Sequence, residues 1–516
     1  MFSSAMLRAM ERLIPHFSVS LVITVVALIL IGCGGNPPMM QSSSMGTINV
    51  SMSDPPSCAA ASSATTVPAG GTAAPGGNFM NVFVTIRSIQ AHTSATADNT
   101  SSGWQELAPQ LVSAPMQVDL LHLPANGQCL LEQLGSTSLP AGDYQQIRLI
   151  LLANAAPSGP APLDKDNGCF KQLGGDVFNC VVVTTGTAHT LNLSSEANTG
   201  LKIPPGQIMG GPIRVAAGQS VDLNIDFNTC ASILMEGNGD FRLKPALTAG
   251  VVSPNKTGIS GQIVDSVSSQ PIAGAIVTLQ FADKSGTDRI VMQQLTDSAG
   301  QFSFCPLAVG AVFDVVSDAL SASGTAYNAT VVLNVPGGTN LGAVPLVAET
   351  PATAGASTGP GTIQGTITAI NGTTGATIDA DVSALQSVMV GTTTHTFTVP
   401  LFPNSVAADI MVTSSTSCPT GAPKGAFCGS YTLVVPASNP TVGTFSAGKT
   451  VTTSPATGDV LYTVEADASN PISDAAMCSP SSQTTSKDST TPTAMPLKVT
   501  AGATTTAAEL DFTGCS

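Results

Sequence analysis

Charge is what this chain has least of. Lysine and arginine number 17 and aspartate and glutamate 32 in 516 residues, a charged share of 9 % against a usual share of about 25 %. The balance is acidic, net -15. Such a surface repels phosphate backbones, so nucleic acid is excluded as an expected partner. Aromatics are equally sparse: 4 % of residues, with one tryptophan and 4 tyrosines, too few for a broad platform on which sugar rings could stack. No C-x-x-C occurs, and the five histidines (His16, His92, His122, His189, His395) show no ligand spacing. No metal and no cofactor are therefore expected. Helical periodicity is almost absent beyond residue 46. Apolar residues still make up 43 %, and Val, Ile and Leu recur in alternation, so the chain can bury enough surface to fold.

The longest uncharged apolar run, Leu21 to Ile31, is 11 residues. A bilayer-spanning helix needs about 20. Arg8 and Arg12 precede the run, and small residues follow it at Gly32, Cys33, Gly34 and Gly35. A basic start, a short apolar core and a small-residue cut describe an export signal. The sequence Leu30-Ile31-Gly32-Cys33 resembles the lipobox of bacterial lipoproteins. That resemblance implies cleavage after residue 32 and diacylglycerol on the Cys33 thiol, which would tether the chain to a membrane; the alternative is a plain signal anchor with a chance cysteine. Gly34 is not the aspartate that the family uses for inner-membrane retention, which implies an outer-membrane address.

Ten cysteines remain when Cys33 is set aside, an even number, as expected of disulfides in an oxidising compartment. Cys169 with Cys180 and Cys418 with Cys428 each enclose a glycine-containing turn. Cys478 and Cys515 are the other two of the last unit. Cys305 stands alone in its unit, while Cys58, Cys129 and Cys230 remain in the first, so one bridge between units is open.

Composition divides the chain into a signal (1–32), a polar tether (33–45), three β-rich units (46–252, 257–348 and 362–516) and a flexible linker (349–361) before the last. In the first, "NVFVTIRSIQAH" sets Val82, Val84 and Ile86 on one face. "GDYQQIRLILL" sets Ile147, Leu149 and Leu151 against Tyr144, Gln146 and Arg148, and "QSVDLNIDF" aligns Val221, Leu223, Ile225 and Phe227. These are half-buried strands, and the expected fold is all-β, three sandwiches in series. The strings "SMSDPP", "VFVTIRSIQAH", "VDLLHL", "LPAGDYQQIRL", "LKIPPG" and Leu243-Lys244-Pro245 resemble the domain-of-unknown-function 4382 family. The chain departs from it at Pro205, where a serine is usual, and in insertions near 58–78 and 155–176. The resemblance implies an exported bacterial β-domain and brings no catalytic residues.

The second unit, "SGQIVDSVSSQPIAGAIVTLQ" followed by "TDSAGQFSFCPLAVG", resembles the carboxypeptidase regulatory-like domains, transthyretin-like sandwiches that serve as scaffolds or binding modules. Pro271 and Gly274 set a turn, Ala275, Val277 and Leu279 alternate inward, and Gly300 suits a hairpin. The third unit offers strand candidates at "GTIQGTITAI", "HTFTVPL", "ADIMVTS", "GSYTLVV", "DVLYTVEAD" and "AAELDFTGC" and resembles no family.

Three motifs fail on context. "GTFSAGKT" (443–450) matches a phosphate-binding loop through Lys449 and Thr450, but β-branched residues and a proline follow where a helix is required. "GASTG" around Ser357 matches a hydrolase elbow but lies in the linker. "LDKDNG", with Asp164, Asp166 and Asn167, lacks EF-hand spacing and reads as a solvated loop. Trp104 reads as a core residue. No catalytic residues are assigned, and the expectation is a lipid-anchored, non-enzymatic envelope protein that binds an envelope or extracellular macromolecule, adheres, or acts as a spacer. The loops near 58–78 and 155–176 are the expected contact surface. The alternatives are an assembly or transport partner that binds by strand addition and a hydrolase built on one of His92, His122, His189 or His395.

Overall fold

Alternation in the sequence becomes strand after strand. The computed structural model describes residues 45–515 apart from 55–71, 74–78, 127–128, 155–166, 175–176, 194–198, 236–240, 245, 254–256, 350–358, 404, 415–417, 446–450, 456–457, 471–476 and 490–494. Cys33, the signal and all but the last residue of the tether lie outside the described residues. Residues 45–516 form one compact unit, nearly all β, and no described helix is long and apolar enough to cross a membrane.

The first region contains β1 (Met45–Ser53), β2 (Phe79–His92), β3 (Met116–Asp119), β4 (Glu132–Pro140), β5 (Gln146–Leu151), β6 (Cys180–Val183), β7 (Ala188–Asn192), β8 (Ser220–Phe227), β9 (Phe241–Leu243) and β10 (Leu247–Val251). One sheet runs Ile208–Met209, β10, β8, β1, β4; a second runs Leu201–Ile203, β5, β2, β6, β7, β9, Ile233–Met235, with β3 also on β2. Between them lies a core in which Val82, Val84, Ile86, Ile147, Leu149, Leu151, Leu223, Ile225 and Phe227 are buried as the alternation requires. Val221 packs at its margin. Tyr144 departs from the sequence reading. The chain changes partner at Gln145, from Ile213–Val215 against Gly142–Tyr144 to β2 against β5, and Tyr144 is buried, its hydroxyl donating to the Pro140 carbonyl at 3.0 Å.

The second region holds β11 (Ile259–Asp265), β12 (Ile276–Ala282), β13 (Thr287–Leu295), β14 (Gln301–Phe304), β15 (Val312–Leu320), β16 (Ala326–Pro336) and β17 (Asn340–Leu346). Its core buries Ala275, Val277 and Leu279. Gly300 turns between β13 and β14 at φ +71°, where an added Cβ would lie 2.6 Å from the Ile263 carbonyl oxygen, so only glycine fits.

The third region holds β18 (Gly361–Asn371), β19 (Ile378–Val390), β20 (Thr393–Val399), β21 (Ala408–Val412), β22 (Phe427–Val435), β23 (Thr441–Thr444), β24 (Thr452–Pro455), β25 (Thr463–Ser469), β26 (Ser482–Thr485) and β27 (Leu510–Phe512). Here the expectation of separate sandwiches is modified. One sheet is continuous through β21, β19, β20, β13, β12, β15, β16, β23 and β24. It is joined by parallel pairing of β13 with β20 and of β16 with β23. The third core accordingly takes in Val316, Ala329 and Val331 from the second region, and the second takes in Val451. The ends of the expected flexible linker are also fastened. Glu349 is buried and its carboxyl accepts the Ala437 N–H, while the Pro360 carbonyl accepts from Gly502 N–H at 3.0 Å.

Disulfides join Cys169 to Cys180, Cys418 to Cys428 and Cys478 to Cys515, and Cys129 to Cys305 across 176 residues. The last of these ties the first region to the second.

Candidate functional site

The face of β19 that carries Asp379, Asp381, Ser383, Leu385 and Ser387 points away from its apolar face of Ile378, Ala380, Val382 and Ala384. Cross-strand pairing extends that polar face sideways: Asp381 lies opposite Asp409 on β21 and opposite Asp467 on β25, and Ser383 lies opposite Glu465. Beyond β25, Asp467 faces Ser482 and Glu465 faces Thr484 on β26. A small-residue inner face packs into the core, so the acids are left outside.

Two other regions bring cations to this face. From the first, Arg242 on β9 and the adjoining Lys244 reach Asp379, Asp381 and Asp409. Arg242 Nη2 lies 3.1 Å from Asp379 Oδ2, and Lys244 Nζ lies 2.8 Å from Asp381 Oδ1 and 3.0 Å from Asp409 Oδ2. The Arg242 and Lys244 side chains are only 10 % and 13 % exposed. Burial alone would pull the Lys244 ammonium down, but the three aspartates outweigh it and hold its pKa above the usual lysine range. Asp379 and Asp409 share a hydrogen bond. Burial raises Asp409 to about 7, with Lys244 opposing and the neighbouring Asp379 and Asp381 adding to the rise. Burial also opposes ionisation of Asp379, but Lys244 and then Arg242 pull it below the ordinary value. The Leu243-Lys244-Pro245 string thus contributes the lysine of a buried clamp.

From the second region, the start of β13 brings Arg289, beside the turn after β12 that carries Asp283. Its Nε donates to Asp283 Oδ2 at 2.9 Å and its Nη2 to Glu465 Oε1 at 2.6 Å. Burial works against ionisation of Asp283. Hydrogen bonds from Ser285, Arg289 and the Thr287 N–H outweigh it and hold the carboxyl at about 2. Burial raises Glu465, and Arg289 offsets part of that. Between this turn and the sheet lies a groove of about 650 Å³, with Asp283, Arg289, Glu465 and Asp467 among its walls and hydroxyls from Ser387, Thr396, Ser482 and Thr484. This open, polar, acceptor-rich surface is the candidate site. Its residues escaped the sequence reading; the signal that was there is the period-2 pattern of "IDADVSALQS", acids on one face and alanines on the other.

Residues singled out from sequence are placed elsewhere. His92 ends β2 and its ring is held by the following loop, with Nδ1 accepting from Ser94 N–H at 2.8 Å and Nε2 meeting the Ser102 carbonyl at 2.9 Å. His189 meets Phe241 edge to face, and His395 lies on β20. His122 Nδ1 is 2.8 Å from Asp119 Oδ2, a histidine–carboxylate contact at i, i+3 that the sequence reading overlooked. The same carboxylate accepts from Asn81. Trp104 is half-buried rather than core: Arg148 lies over its ring at 4.2 Å and its indole N–H donates to the Asp98 carbonyl. Asn167 caps a short helix, Gly168–Leu173, accepting from Cys169 and Phe170 N–H. Residues 446–450, with Lys449 and Thr450, lie outside the described residues, as do Ser357, Asp164 and Asp166. The flanking β23 and β24 form an antiparallel hairpin, not the strand and helix of a phosphate loop. Most of 58–78 and of 155–176 also lies outside, but Thr72–Ala73 adds a short edge strand to β21.

Another polar cluster sits at the end of β1. Ser53 Oγ donates to Asp226 Oδ1 at 2.8 Å, and Thr229 N–H donates to Asp54 Oδ1 at 3.3 Å. Both carboxyls are almost fully buried, and burial raises Asp226 to about 7 and holds Asp54 well above the ordinary carboxyl range.

The class that these features define is a disulfide-linked all-β protein. Residues 45–245 match the family model described as a domain of unknown function, DUF4382. Comparison with curated proteins gives no match. Among solved structures, the Bacillus anthracis TIE protein overlaps 91 % of this chain at 8 % identity and a TM-score of 0.15. The chain covers half of that protein's length. The shaft pilin SpaA of Lactobacillus rhamnosus GG overlaps 60 % of this chain and all of its own at 10 % identity and 0.16. A streptococcal ancillary pilin overlaps 80 % of this chain and 96 % of its own at 8 % and 0.15. TM-scores of this size do not superpose the chains as wholes.

Proposed function

We propose that the protein is a lipoprotein of the cell envelope, anchored through Cys33 in the outer membrane, whose β-domains bind an extracellular or envelope ligand without turning it over. The observation that carries this reading is the lipobox at Cys33 on a chain in which eight of the other ten cysteines form four disulfides. Disulfides persist in oxidising compartments, and one acyl chain with a second signal is needed for firm anchoring. The second region is read as a carboxypeptidase regulatory-like scaffold, and its role is to hold the β12–β13 turn over the groove. Strand addition is the less favoured reading. The edge strand β4 pairs only with β1, but Gln110 already donates to its Leu134 carbonyl at 2.5 Å and Pro140 closes its end.

The test is fatty-acid labelling of the protein and of Cys33→Ser in cells, with fractionation of the envelope. Label on the parent and none on the variant is expected; label on both removes the anchor. A screen against ester, glycoside and peptide substrates should give no turnover, and turnover lost on replacing His122 would put a hydrolase in place of the binding reading.

A further inference from the structure

Lysine is seldom buried, and Lys244 is buried against acids from a distant part of the chain. Its Nζ lies 2.8 Å from Asp381 Oδ1, 3.0 Å from Asp409 Oδ2 and 3.4 Å from Asp379 Oδ1. The backbone is fixed on both sides of the contact. Lys244 N–H donates to the Ser232 carbonyl at 2.8 Å. Asp379 and Asp381 lie on β19, and Asp409 lies on β21, which pairs with it. The Asp379 side chain is fully buried and that of Asp409 is 7 % exposed, whereas Asp381 is 45 % exposed and open to water. An amine and a carboxyl held together away from water are the reactants of an amide. Fixed contact of this kind can equal an effective concentration of about 10⁵–10⁸ M. Amines attack neutral carboxyls rather than carboxylates. Burial and the neighbouring aspartates push Asp409 up to about 7, while Lys244 and Arg242 pull Asp379 below its ordinary value. Asp409 is therefore the electrophile of the pair, and Asp379 the base.

We propose that Lys244 and Asp409 condense to an amide, a covalent link between the first and third regions, with Asp379 carrying the protons. The Lys244 ammonium first gives a proton to the Asp379 carboxylate. Burial is the largest influence on both groups and opposes the charge on each, so the exchange of an ion pair for a neutral pair is eased. The freed Nζ lone pair then attacks Cγ of protonated Asp409. Cγ is one bond from the oxygen that Nζ already touches, and a small rotation of the carboxyl brings it to the about 3–3.5 Å from which attack proceeds. Arg242 Nη2, 3.7 Å from Asp409 Oδ2, supplies positive charge where the oxyanion forms. Asp379 returns its proton to the departing hydroxyl, which leaves as water, and takes one from the new amide nitrogen. Lys244 and Asp409 end as a neutral amide, Asp379 ends protonated, and one water is released. The bond removes a buried charged pair that is costly to desolvate, and exclusion of water protects it from hydrolysis.

The experiment is mass spectrometry of the full chain in denaturant and reductant, followed by peptide mapping. Those conditions separate an ion pair and leave an amide intact. After allowance for the substitution, the parent is expected to be lighter by one water than Lys244→Arg, which keeps the charge without the amine. The parent's peptides containing Lys244 and Asp409 are expected to be joined. Asp409→Ala should lose the link. Asp379→Asn should leave Lys244 and Asp409 present and unjoined while Cys129–Cys305 and the other three disulfides still form, a loss that misfolding does not explain. Unjoined peptides in the parent overturn the proposal, whatever any variant does. A bond from Lys244 to Asp381 or Asp379 overturns the choice of Asp409, and undiminished linkage in Asp379→Asn overturns the base.

Discussion

Replacing Asp226 with asparagine should flatten the pH dependence of the first region's stability. The carboxyl sits on β8, 2 % exposed, with Ser53 donating to Oδ1 and Oδ2 unpartnered among the described atoms. Burial lifts its pKa from an ordinary 3.8 to about 7. A raised acid binds its proton more tightly in the folded than in the unfolded chain. Stability is therefore highest below the ordinary value and falls as pH rises toward about 7, then levels off. Between about pH 5 and pH 8 that amounts to about 2–3 kcal/mol lost from this one group, at about 1.4 kcal/mol per pK unit. Asparagine keeps the acceptor for Ser53 and cannot ionise. Any cost of its buried amide, on the order of 1–3 kcal/mol, is the same at every pH. The variant also removes a charge that raises neighbouring Asp54, an effect of the same sign. The assay is urea unfolding at about pH 5 and about pH 8 with disulfides intact, read alongside hydrogen exchange of the β1 and β8 amides, which isolates this core from the others. The variant should gain on the parent by about 2–3 kcal/mol between the two pH values. Parallel curves for the two proteins would show that Asp226 is ionised throughout and would refute the reasoning.

Lys244→Ala leaves Asp379, Asp381 and Asp409 with Arg242 alone, and breaking a buried pair of this kind should cost about 3–5 kcal/mol in chemical denaturation. Lys498→Ala, which removes an exposed pair with Asp459, should cost under about 1 kcal/mol; equal losses would mean that the clamp is not buried in solution. Non-reducing peptide mapping should recover Cys169–Cys180, Cys418–Cys428, Cys478–Cys515 and Cys129–Cys305. It should also recover Cys58–Cys230, because Thr229 is hydrogen-bonded to Asp54 four residues before Cys58; free thiols at 58 and 230 would contradict this. Arg148→Ala uncovers the only tryptophan and should red-shift its emission and increase its quenching by iodide, with about 0.5–2 kcal/mol of stability lost.

Strands whose inner faces carry Val, Ile or Leu were legible in sequence: β2, β5, β8, β12, β18 and β22 all follow their alternation. The hub of the third region was not. β19 pairs with β20, β21 and β25, yet its inner face is Ala380, Val382 and Ala384, too slight for hydrophobic patterning, and its outer face is acidic. Tyr144 was misassigned because the chain passes from one sheet to another at Gln145, so one alternation does not run through both strands. The groove was invisible because its acids come from segments almost 200 residues apart and meet only when β13 pairs with β20. The Cys129–Cys305 bridge left no local trace for the same reason, whereas the pairs 10 and 11 residues apart announced themselves by spacing.

The position of β1 has a mechanical consequence. It is flanked on both sides, in parallel register with β8 from Thr47 to Ser53 and antiparallel to β4 from Met45 to Met52. A pull on the chain ahead of Met45, directed along the strand, loads both ladders in shear, so their hydrogen bonds must yield together rather than one after another. The Cys129–Cys305 bridge then passes the load into the second region, whose sheet continues into the third. A load applied to the third region would travel the same route in reverse, ending in the strand that follows the tether.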